Sequence, residues 1–391
     1  MAFPSSKHYN YLPVSVLEET ESSPRPRSDL EAPPKYSHVE EVDELDYAAT
    51  RPAKRPESWK KAAALILIVG AVLYLAVSGF RNTFERIGSM RCSGHKLPNS
   101  FTLPSGDRIP SVALGVWLAE KGKVGEAVKL SKMDTDTSTA LGHTGHNEAE
   151  VGEALRESGI PRKEVWITSK LWNAFHAPGD IEPVLDESLS KLGTDYVDLY
   201  LIHWPVAFKK DTDNEVDWNL TDNPYPTWQK LEELVEKGKI RNIGISNFNI
   251  RRIQNLTSNP LKVRPAVNQV ELSYWNPQPE LVKWSKENGL LLEAYSPLGS
   301  AERVKETLEV PEVKKIAKIL GITPAQVYIS WHVQRGTVVL PKSVTPSRIE
   351  ENFRITRLPQ PLFDELEKAA TSHKPERSVD PSERWGVDIW N

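Results

Sequence analysis

Cysteine is nearly absent from this chain of 391 residues, which contains Cys92 alone. An internal disulfide framework is therefore excluded, and the fold must depend on its hydrophobic core. An excess of positive charge is also missing, because 49 basic and 53 acidic residues give a formal net charge of -4. The sequence thus gives no sign of a nucleic-acid partner, which a basic surface would attract.

The first 61 residues lack apolar periodicity and are rich in proline, serine and charged residues. Such a segment buries too little apolar surface to offset the entropy lost on ordering. We therefore predict a disordered tail over residues 1–61. The sequence does not indicate which protein binds this tail.

Residues 62–80, AAALILIVGAVLYLAVSGF, contain no charged side chain and are almost wholly apolar. As a helix this segment would span about 28 Å, close to the hydrocarbon thickness of a bilayer. We predict a single-pass transmembrane helix over 62–80, a linker over 81–95 and location in a membrane. A buried core helix is the alternative, although such a helix usually carries a polar face. Basic residues flank both ends, so they do not decide which side of the membrane holds the rest of the chain.

From residue 96 onward, apolar runs of strand length alternate with amphipathic helical segments. Because these runs are apolar on both faces, they indicate parallel strands covered by helices. We predict an α/β fold, a (β/α)8 TIM barrel over 96–391, in which residues 135–152 form an irregular second strand. A doubly wound open sheet is the alternative, but no strand here leads into GxGxxG. The predicted hairpin is 101–110, the strands are 111–117, 164–172, 197–205, 240–248, 266–273, 290–299 and 337–344, and helices include 181–193, 226–239, 279–289 and 310–321.

Polar and aromatic residues end most of the predicted strands, which is where barrels of this type carry their chemistry. A lysine beside a neutral histidine suits hydrogen bonding to a carbonyl oxygen. Two cations, Lys342 and Arg348, flank a helix start at Pro346 and suit a phosphate. The strand ends carry Trp117, Ser169, Lys170, His203, Trp204, Ser246, Asn247, Gln269, Tyr295, Ser296, Lys342 and Ser343.

Six segments in order, SKLWN, LYLIHWP, GKIRNIGISNFN, NQVELSYWNPQPEL, LEAYSPLGS and LPKSVTPSRIEENF, resemble the aldo-keto reductases. The resemblance is closest to the fungal glycerol dehydrogenase and aldehyde reductase type and covers about residues 97–391. It implies an oxidoreductase that reduces an aldehyde or ketone by hydride transfer from NADPH, without a metal. In the family a tyrosine donates the proton, a lysine lowers the pKa of that tyrosine, an aspartate pairs with the lysine, and a histidine orients the carbonyl group.

The resemblance assigns roles to individual residues. Lys170 and His203 match the catalytic lysine and histidine. Tyr295 would stack on the nicotinamide, and its carboxamide would bind to Ser246, Asn247 and Gln269. The remaining residues would hold the phosphates and adenine (Ser296, Leu298, Ser300, Lys342, Ser343, Arg348 and Asn352) or line an apolar substrate cleft (Trp117, Trp172 and Trp204). The two cations at the 2′-phosphate position favour NADPH over NADH.

The second strand departs from the family pattern HIDTAxxYGNE, of which only NEAEVG at 147–152 is intact. Without a gap, Ala140 stands at the aspartate position and Gly145 at the tyrosine position. Asp136 recovers the aspartate only when residues are inserted before Asn147. We therefore take Asp136 as the candidate partner of the lysine.

No register recovers the tyrosine, because the chain has none between Tyr74 and Tyr196. Three interpretations stay open. In the first, the protein has lost turnover and is a membrane-anchored, NADPH-binding pseudoenzyme. In the second, His143 or His146 replaces the tyrosine as the acid. In the third, the sequence has a wrong exon boundary in this stretch. We expect a reductase of a small carbonyl compound with impaired turnover, and keep the pseudoenzyme as the alternative.

Overall fold

A computed structural model of the protein describes residues 96–115, the backbone of 139–141, and residues 148–390. The chain divides into two units, Met1–Val77 and Ser78–Asn391, and every described residue belongs to the second. The predicted tail (1–61), transmembrane helix (62–80) and linker (81–95) lie outside the described residues. So do the candidate site residues Trp117 and Asp136, and the histidines His143 and His146.

The described strands form one antiparallel hairpin and one parallel sheet of seven strands. The hairpin pairs β1 (Ser100–Thr102) with β2 (Arg108–Pro110), in the place that the sequence predicts. The sheet follows chain order, and each of its pairs is parallel, so a crossover must separate successive strands. Its strands are β3 (Thr139–Leu141), β4 (Val165–Leu171), β5 (Val197–Ile202), β6 (Ile240–Ser246), β7 (Val267–Glu271), β8 (Leu291–Tyr295) and β9 (Val338–Leu340).

Helices connect these strands, and several begin with proline in the first turn, where its missing N–H costs nothing. The helix Pro324–Gln334 begins with a capping box, in which Thr323 N donates to Gln326 Oε1 at 2.9 Å. The described helices are Glu148–Ser158, Pro178–Leu192, Trp218–Asp222, Tyr225–Glu236, Ile250–Thr257, Pro279–Glu287, Ser300–Leu308, Pro311–Leu320, Pro324–Gln334, Pro346–Phe353, Gln360–Ser372 and Ser382–Trp385, with 3₁₀ turns at Arg162–Glu164 and Asn173–Phe175.

The segment 111–115 extends the sheet beyond β9. Ala113 N donates to Val339 O at 2.9 Å, and Gly115 N donates to Pro341 O at 3.1 Å. At the other edge, β3 pairs in parallel with the start of β4. The predicted α/β fold with a parallel sheet is therefore confirmed, and this curled sheet is consistent with a TIM-like barrel.

The two faces of the parallel sheet pack into different clusters, because side chains alternate along each strand. One face, called here the interior face, carries Trp166, Leu199, Leu201, Val267, Val338 and Leu340. Leu103 and Ile109 of the hairpin region belong to the same cluster. The alternate residues, such as Ile167, Tyr200 and Ile243, pack with the helices in the largest cluster. By the same alternation along the strands, Lys170, Gln269 and Glu293 also belong to the interior face.

The predicted location in a membrane needs correction. No described helix is long and apolar enough to cross a membrane. The longest of them, Pro178–Leu192, has 15 residues and would span about 22 Å, short of the roughly 30 Å hydrocarbon layer. It also carries charged residues, including Asp180 and Glu182.

Gly152 of the NEAEVG segment lets the helix Glu148–Ser158 approach the helix Pro178–Leu192. A Cβ at this position would lie 2.7 Å from Leu192 O. We expect Gly152→Ala to lower the free energy of unfolding by about 1–3 kcal/mol, because the clash outweighs alanine's better helix propensity of about 1 kcal/mol. Chemical denaturation measures this, with Gly179→Ala as control, since a Cβ there meets nothing within 4 Å. Equal stability changes in the two variants would contradict the expectation.

Candidate active site

A row of polar side chains crosses three neighbouring strands on the interior face. Ser246 pairs with Gln269 in the sheet, and Gln269 pairs with Glu293. Ser246 Oγ donates to Gln269 O at 2.8 Å, and Gln269 Nε2 donates to Glu293 Oε2 at 2.7 Å. All three residues are at most 2% exposed. Convergent polar groups inside an otherwise apolar interior indicate a binding site.

Asn247 joins the ends of three strands. Its Nδ2 donates to His203 O at 3.0 Å, and its Oδ1 accepts a hydrogen bond from Tyr295 Oη at 2.9 Å. Burial raises the pKa of Tyr295, and the nearby Glu271 raises it further, although Arg377 partly opposes them. The phenol therefore stays neutral at physiological pH, and its ring is held at the end of β8.

Three residues that the sequence assigns to the cofactor have left-handed backbone conformations. The φ angles are 64° at Asn247, 48° at Ser296 and 62° at Ser300. Each such non-glycine residue costs about 1–3 kcal/mol and persists only where its surroundings require it, commonly at a functional site. The turn after β8, which contains Leu298, closes with Gly299 N donating to Ser296 O at 2.9 Å. The strain makes the turns after β6 and β8 candidates for a ligand site.

Lys170 lies near the end of β4, and His203 directly follows β5. His203 N donates to Leu171 O at 3.1 Å, so the two candidates stand on adjacent strand ends. Burial lowers the pKa of Lys170 to about 7, and the charge of Glu293 opposes this shift. An amine with a pKa near neutrality can hold a proton and also release one. These two residues are the catalytic candidates that the structure brings together.

Aromatic side chains surround His203. The Trp172 ring meets it edge-on at a centroid distance of 5.3 Å, and the Trp204 ring stacks at 6.1 Å. Trp385, from the C-terminal segment, packs edge-on against Trp204 at 5.2 Å and against Trp172 at 6.4 Å. Trp172 is 38% exposed. An aromatic wall that is open to solvent on one side suits an apolar substrate group beside the histidine.

The residues assigned to the adenosine phosphate lie after β9. Lys342 and Arg348 are exposed, and Asn352 is buried on the helix Pro346–Phe353. No side chain caps the first turn of this helix. Ser343 Oγ instead accepts a hydrogen bond from Thr345 N at 3.1 Å, just before the helix. A helix start without a side-chain cap, with two cations near it in the chain, fits a phosphate group.

Two residues of this site were missed from the sequence. Glu293 is a charged residue in the middle of the apolar run LLLEAY, and that is the signal that could have found it, because a fully buried glutamate is rare without a partner. Trp385 lies more than 200 positions from Trp172, and its pairing has no signal in the sequence. Within the described ranges, no group of three potential ligands could hold a metal ion.

The fold and the site define an α/β protein with a curled parallel sheet of the TIM-barrel type, whose interior face carries linked polar groups. The sequence profile of the aldo/keto reductase family matches residues 126–371. The chain belongs to the aldo/keto reductase family, as its motifs predict.

Named relatives share most of their length with this chain. Its alignment with glycerol 2-dehydrogenase (NADP(+)) of Hypocrea jecorina has 38% identity over 316 residues. This alignment covers 74% of this chain and 98% of that protein. The chain is 39% identical over 307 residues to an aldehyde reductase of Saccharomyces cerevisiae, with 73% and 94% covered.

Solved structures agree with these relatives. The aldose reductase of Schistosoma japonicum superposes with a TM-score of 0.68 at 35% identity, covering 75% of this chain and 98% of that one. A second aldo-keto reductase, solved as a complex with NADPH, gives a TM-score of 0.65 at 30% identity, covering 75% and 93%. The cofactor expected from the sequence is thus the one bound by a structural relative.

Proposed function

We propose that this protein reduces an aldehyde or ketone to an alcohol with NADPH as the hydride donor, in a closed (β/α)8 barrel. The observation that carries the proposal is the linked polar set at the ends of β6, β7 and β8, with strained backbone at Asn247, Ser296 and Ser300. The relatives named above as NADP-dependent or aldehyde-reducing proteins support it.

The cofactor is NADPH, and the residues present fit it. Ser246, Asn247 and Gln269 offer hydroxyl and amide groups for the carboxamide, and the Tyr295 ring offers a flat face for the nicotinamide. The turn Ser296–Ser300, including Leu298, would run along the pyrophosphate. The groups for the 2′-phosphate and adenine would be Lys342, Ser343, Arg348 and Asn352. The positions of Lys342 before the helix Pro346–Phe353 and of Arg348 in its first turn, which no side chain caps, support NADPH over NADH.

When bound, NADPH supplies a hydride to the carbonyl carbon, and the carbonyl oxygen then needs a proton. Lys170 and His203 meet this need from adjacent strand ends. His203 positions the oxygen by a hydrogen bond, while the Lys170 ammonium stabilises the negative charge that develops there. Because burial lowers the pKa of Lys170 to about 7, its ammonium is also a competent proton donor at neutral pH. Trp172 and Trp204 exclude water from one side of the oxygen.

A second candidate function is NADPH binding without turnover. The observation that favours it is the absence of any tyrosine between Tyr74 and Tyr196. Loss of a general acid costs about 10²–10⁴-fold in rate, which would leave a cofactor-binding protein with little activity.

Aldehyde-dependent oxidation of NADPH by the full chain, over a panel of aldehydes and ketones, separates the two functions. Turnover that is lost in His203→Ala supports the reductase. Quenching of NADPH fluorescence without turnover supports the binding protein. A folded chain that neither binds nor oxidises NADPH contradicts both.

Arg348 provides a prediction about cofactor choice. We expect Arg348→Ala to weaken NADPH binding about tenfold and to leave NADH binding unchanged, because a charge-assisted hydrogen bond contributes about 1.5–3 kcal/mol. Titration of intrinsic fluorescence measures both affinities. The control is Arg354→Ala just after the same helix, where the arginine pairs with Glu350. Equal weakening by the two variants would argue against a phosphate site at Arg348.

A further inference from the structure

Glu293 is a carboxylate buried inside the sheet, with 2% of its surface exposed. Gln269 Nε2 donates to its Oε2 at 2.7 Å, and its Oε1 accepts no hydrogen bond from any residue in the described ranges. Removing an ionised carboxylate from water costs several kcal/mol, and one neutral amide does not offset it. A cation near Glu293 is therefore needed if the carboxylate is to be ionised.

The strand register brings such a cation to the same face. Lys170 pairs with Leu201, and Glu293 pairs with Val338. Leu201 and Val338 both belong to the cluster that fills the interior face. Paired residues of parallel strands point to the same side, so the side chains of Lys170 and Glu293 enter one apolar interior.

The electrostatics of the two groups are coupled. Burial lowers the pKa of Lys170 to about 7 and raises the pKa of Glu293 to about 7. Glu293 opposes the first shift, and Lys170 opposes the second, together with Gln269. No other ionisable group of the described chain shifts either pKa. Each charge thus stabilises the other across the apolar interior, without a direct ion pair.

In the family pattern, an aspartate on the second strand supplies the counter-charge to the lysine. In this chain, an alignment without a gap places Ala140 at that position. We propose that Glu293, reaching the site from β8, is the carboxylate partner that keeps Lys170 charged and positioned in this chain. The inference rests on the proposed function, in which Lys170 acts on the carbonyl oxygen. Glu293 acts through Lys170 and is a positioning residue.

The test measures the pKa of Lys170 in the full chain, from the pH dependence of its acylation by an amine-reactive reagent, read peptide by peptide by mass spectrometry. Glu293→Gln keeps the shape and the contact with Gln269 but removes the charge. We expect this variant to lower the pKa of Lys170 by about one unit, so that the fraction of free amine, and with it the acylation rate, rises about fivefold near pH 6. Glu293→Asp restores most of the shift. Asp136→Asn, which removes the carboxylate predicted from the sequence, leaves it unchanged.

An unchanged pKa of Lys170 in Glu293→Gln, or a larger shift in Asp136→Asn, overturns the proposal. If Glu293→Gln does not fold, Glu293→Met, Lys170→Met and the double variant Lys170→Met/Glu293→Met, each of which removes a charge, give a double-mutant cycle of unfolding free energies. Non-additive losses support the pair, and additive losses overturn it. Failure of the proposed function is separate, because it appears as absent NADPH oxidation while the pKa shift persists.

Discussion

Replacing Lys170 with methionine is expected to lower kcat/KM for aldehyde reduction by about 10²–10⁴-fold, while NADPH binding is kept. Methionine matches the length of the lysine stem and suits the apolar interior, so the variant removes the charge and the proton without opening a cavity. NADPH oxidation and NADPH fluorescence quenching measure the two quantities separately. Lys191→Met is the control, because that lysine is exposed and pairs with Glu187 on a helix surface.

The same lysine predicts the pH profile of the unmodified protein. Since the pKa of Lys170 is lowered to about 7, the ammonium is present below this pH and is lost above it. Turnover is therefore expected to fall as the pH rises through about 7. A rate that is flat across this range, or a normal rate in Lys170→Met, would show that another group supplies the proton.

The second large effect is expected at Glu271, which ends β7 and holds the C-terminal segment. Its two carboxylate oxygens accept hydrogen bonds from Ser378 N at 2.8 Å and Val379 N at 2.9 Å. The same segment is held by Arg377, whose guanidinium stacks 3.4 Å from the centre of the Trp390 ring. Because this segment also carries Trp385, Glu271 supports the aromatic wall beside His203.

We expect Glu271→Gln to raise KM for an aldehyde by up to about 100-fold with little change in kcat. The glutamine amide keeps one acceptor oxygen, but its NH₂ group faces the second backbone N–H. The hydrogen bond lost there, which involved a charged group, contributes about 1.5–3 kcal/mol. Steady-state kinetics gives the KM and kcat changes. Glu376→Gln, in the same segment but on a surface pair with Arg303, is the control. Parallel losses of kcat in both variants would mean that the site itself was damaged.

The strands from β4 to β9 were predictable because parallel strands buried on both faces are apolar runs of the right length. Lys170 and His203 were predictable for the same reason, since a polar residue that ends such a run faces the carboxyl edge of the sheet. The second strand was also predicted, as an irregular strand within 135–152, but the bounds of β3 were not, because residues around Thr139 form no apolar run and their strand depends on pairing with β4.

The partner that we propose for Lys170 was also beyond the sequence, while Asp136 lies outside the described residues and stays a prediction. Asp136 was chosen from the family pattern, while Glu293 lies 123 positions away on a strand that is not a neighbour of β4. Periodicity shows which face a side chain occupies, but it does not show which strands lie opposite each other across an interior. The same limit applies to Trp385, whose neighbours are set by the path of the C-terminal segment. The membrane prediction relied on the length and apolar composition of residues 62–80 alone.

The strained turns after β6 and β8 also bear on attempts to make the protein more heat-resistant. Asn247, Ser296 and Ser300 hold conformations that glycine adopts without steric cost. Glycine there would relieve strain but would add freedom to the unfolded chain, so the net gain in stability would be small. It would also remove side chains that we propose bind the cofactor. Substitutions meant to raise stability should therefore leave these three positions unchanged and be placed on the outer helices, where they do not lower activity.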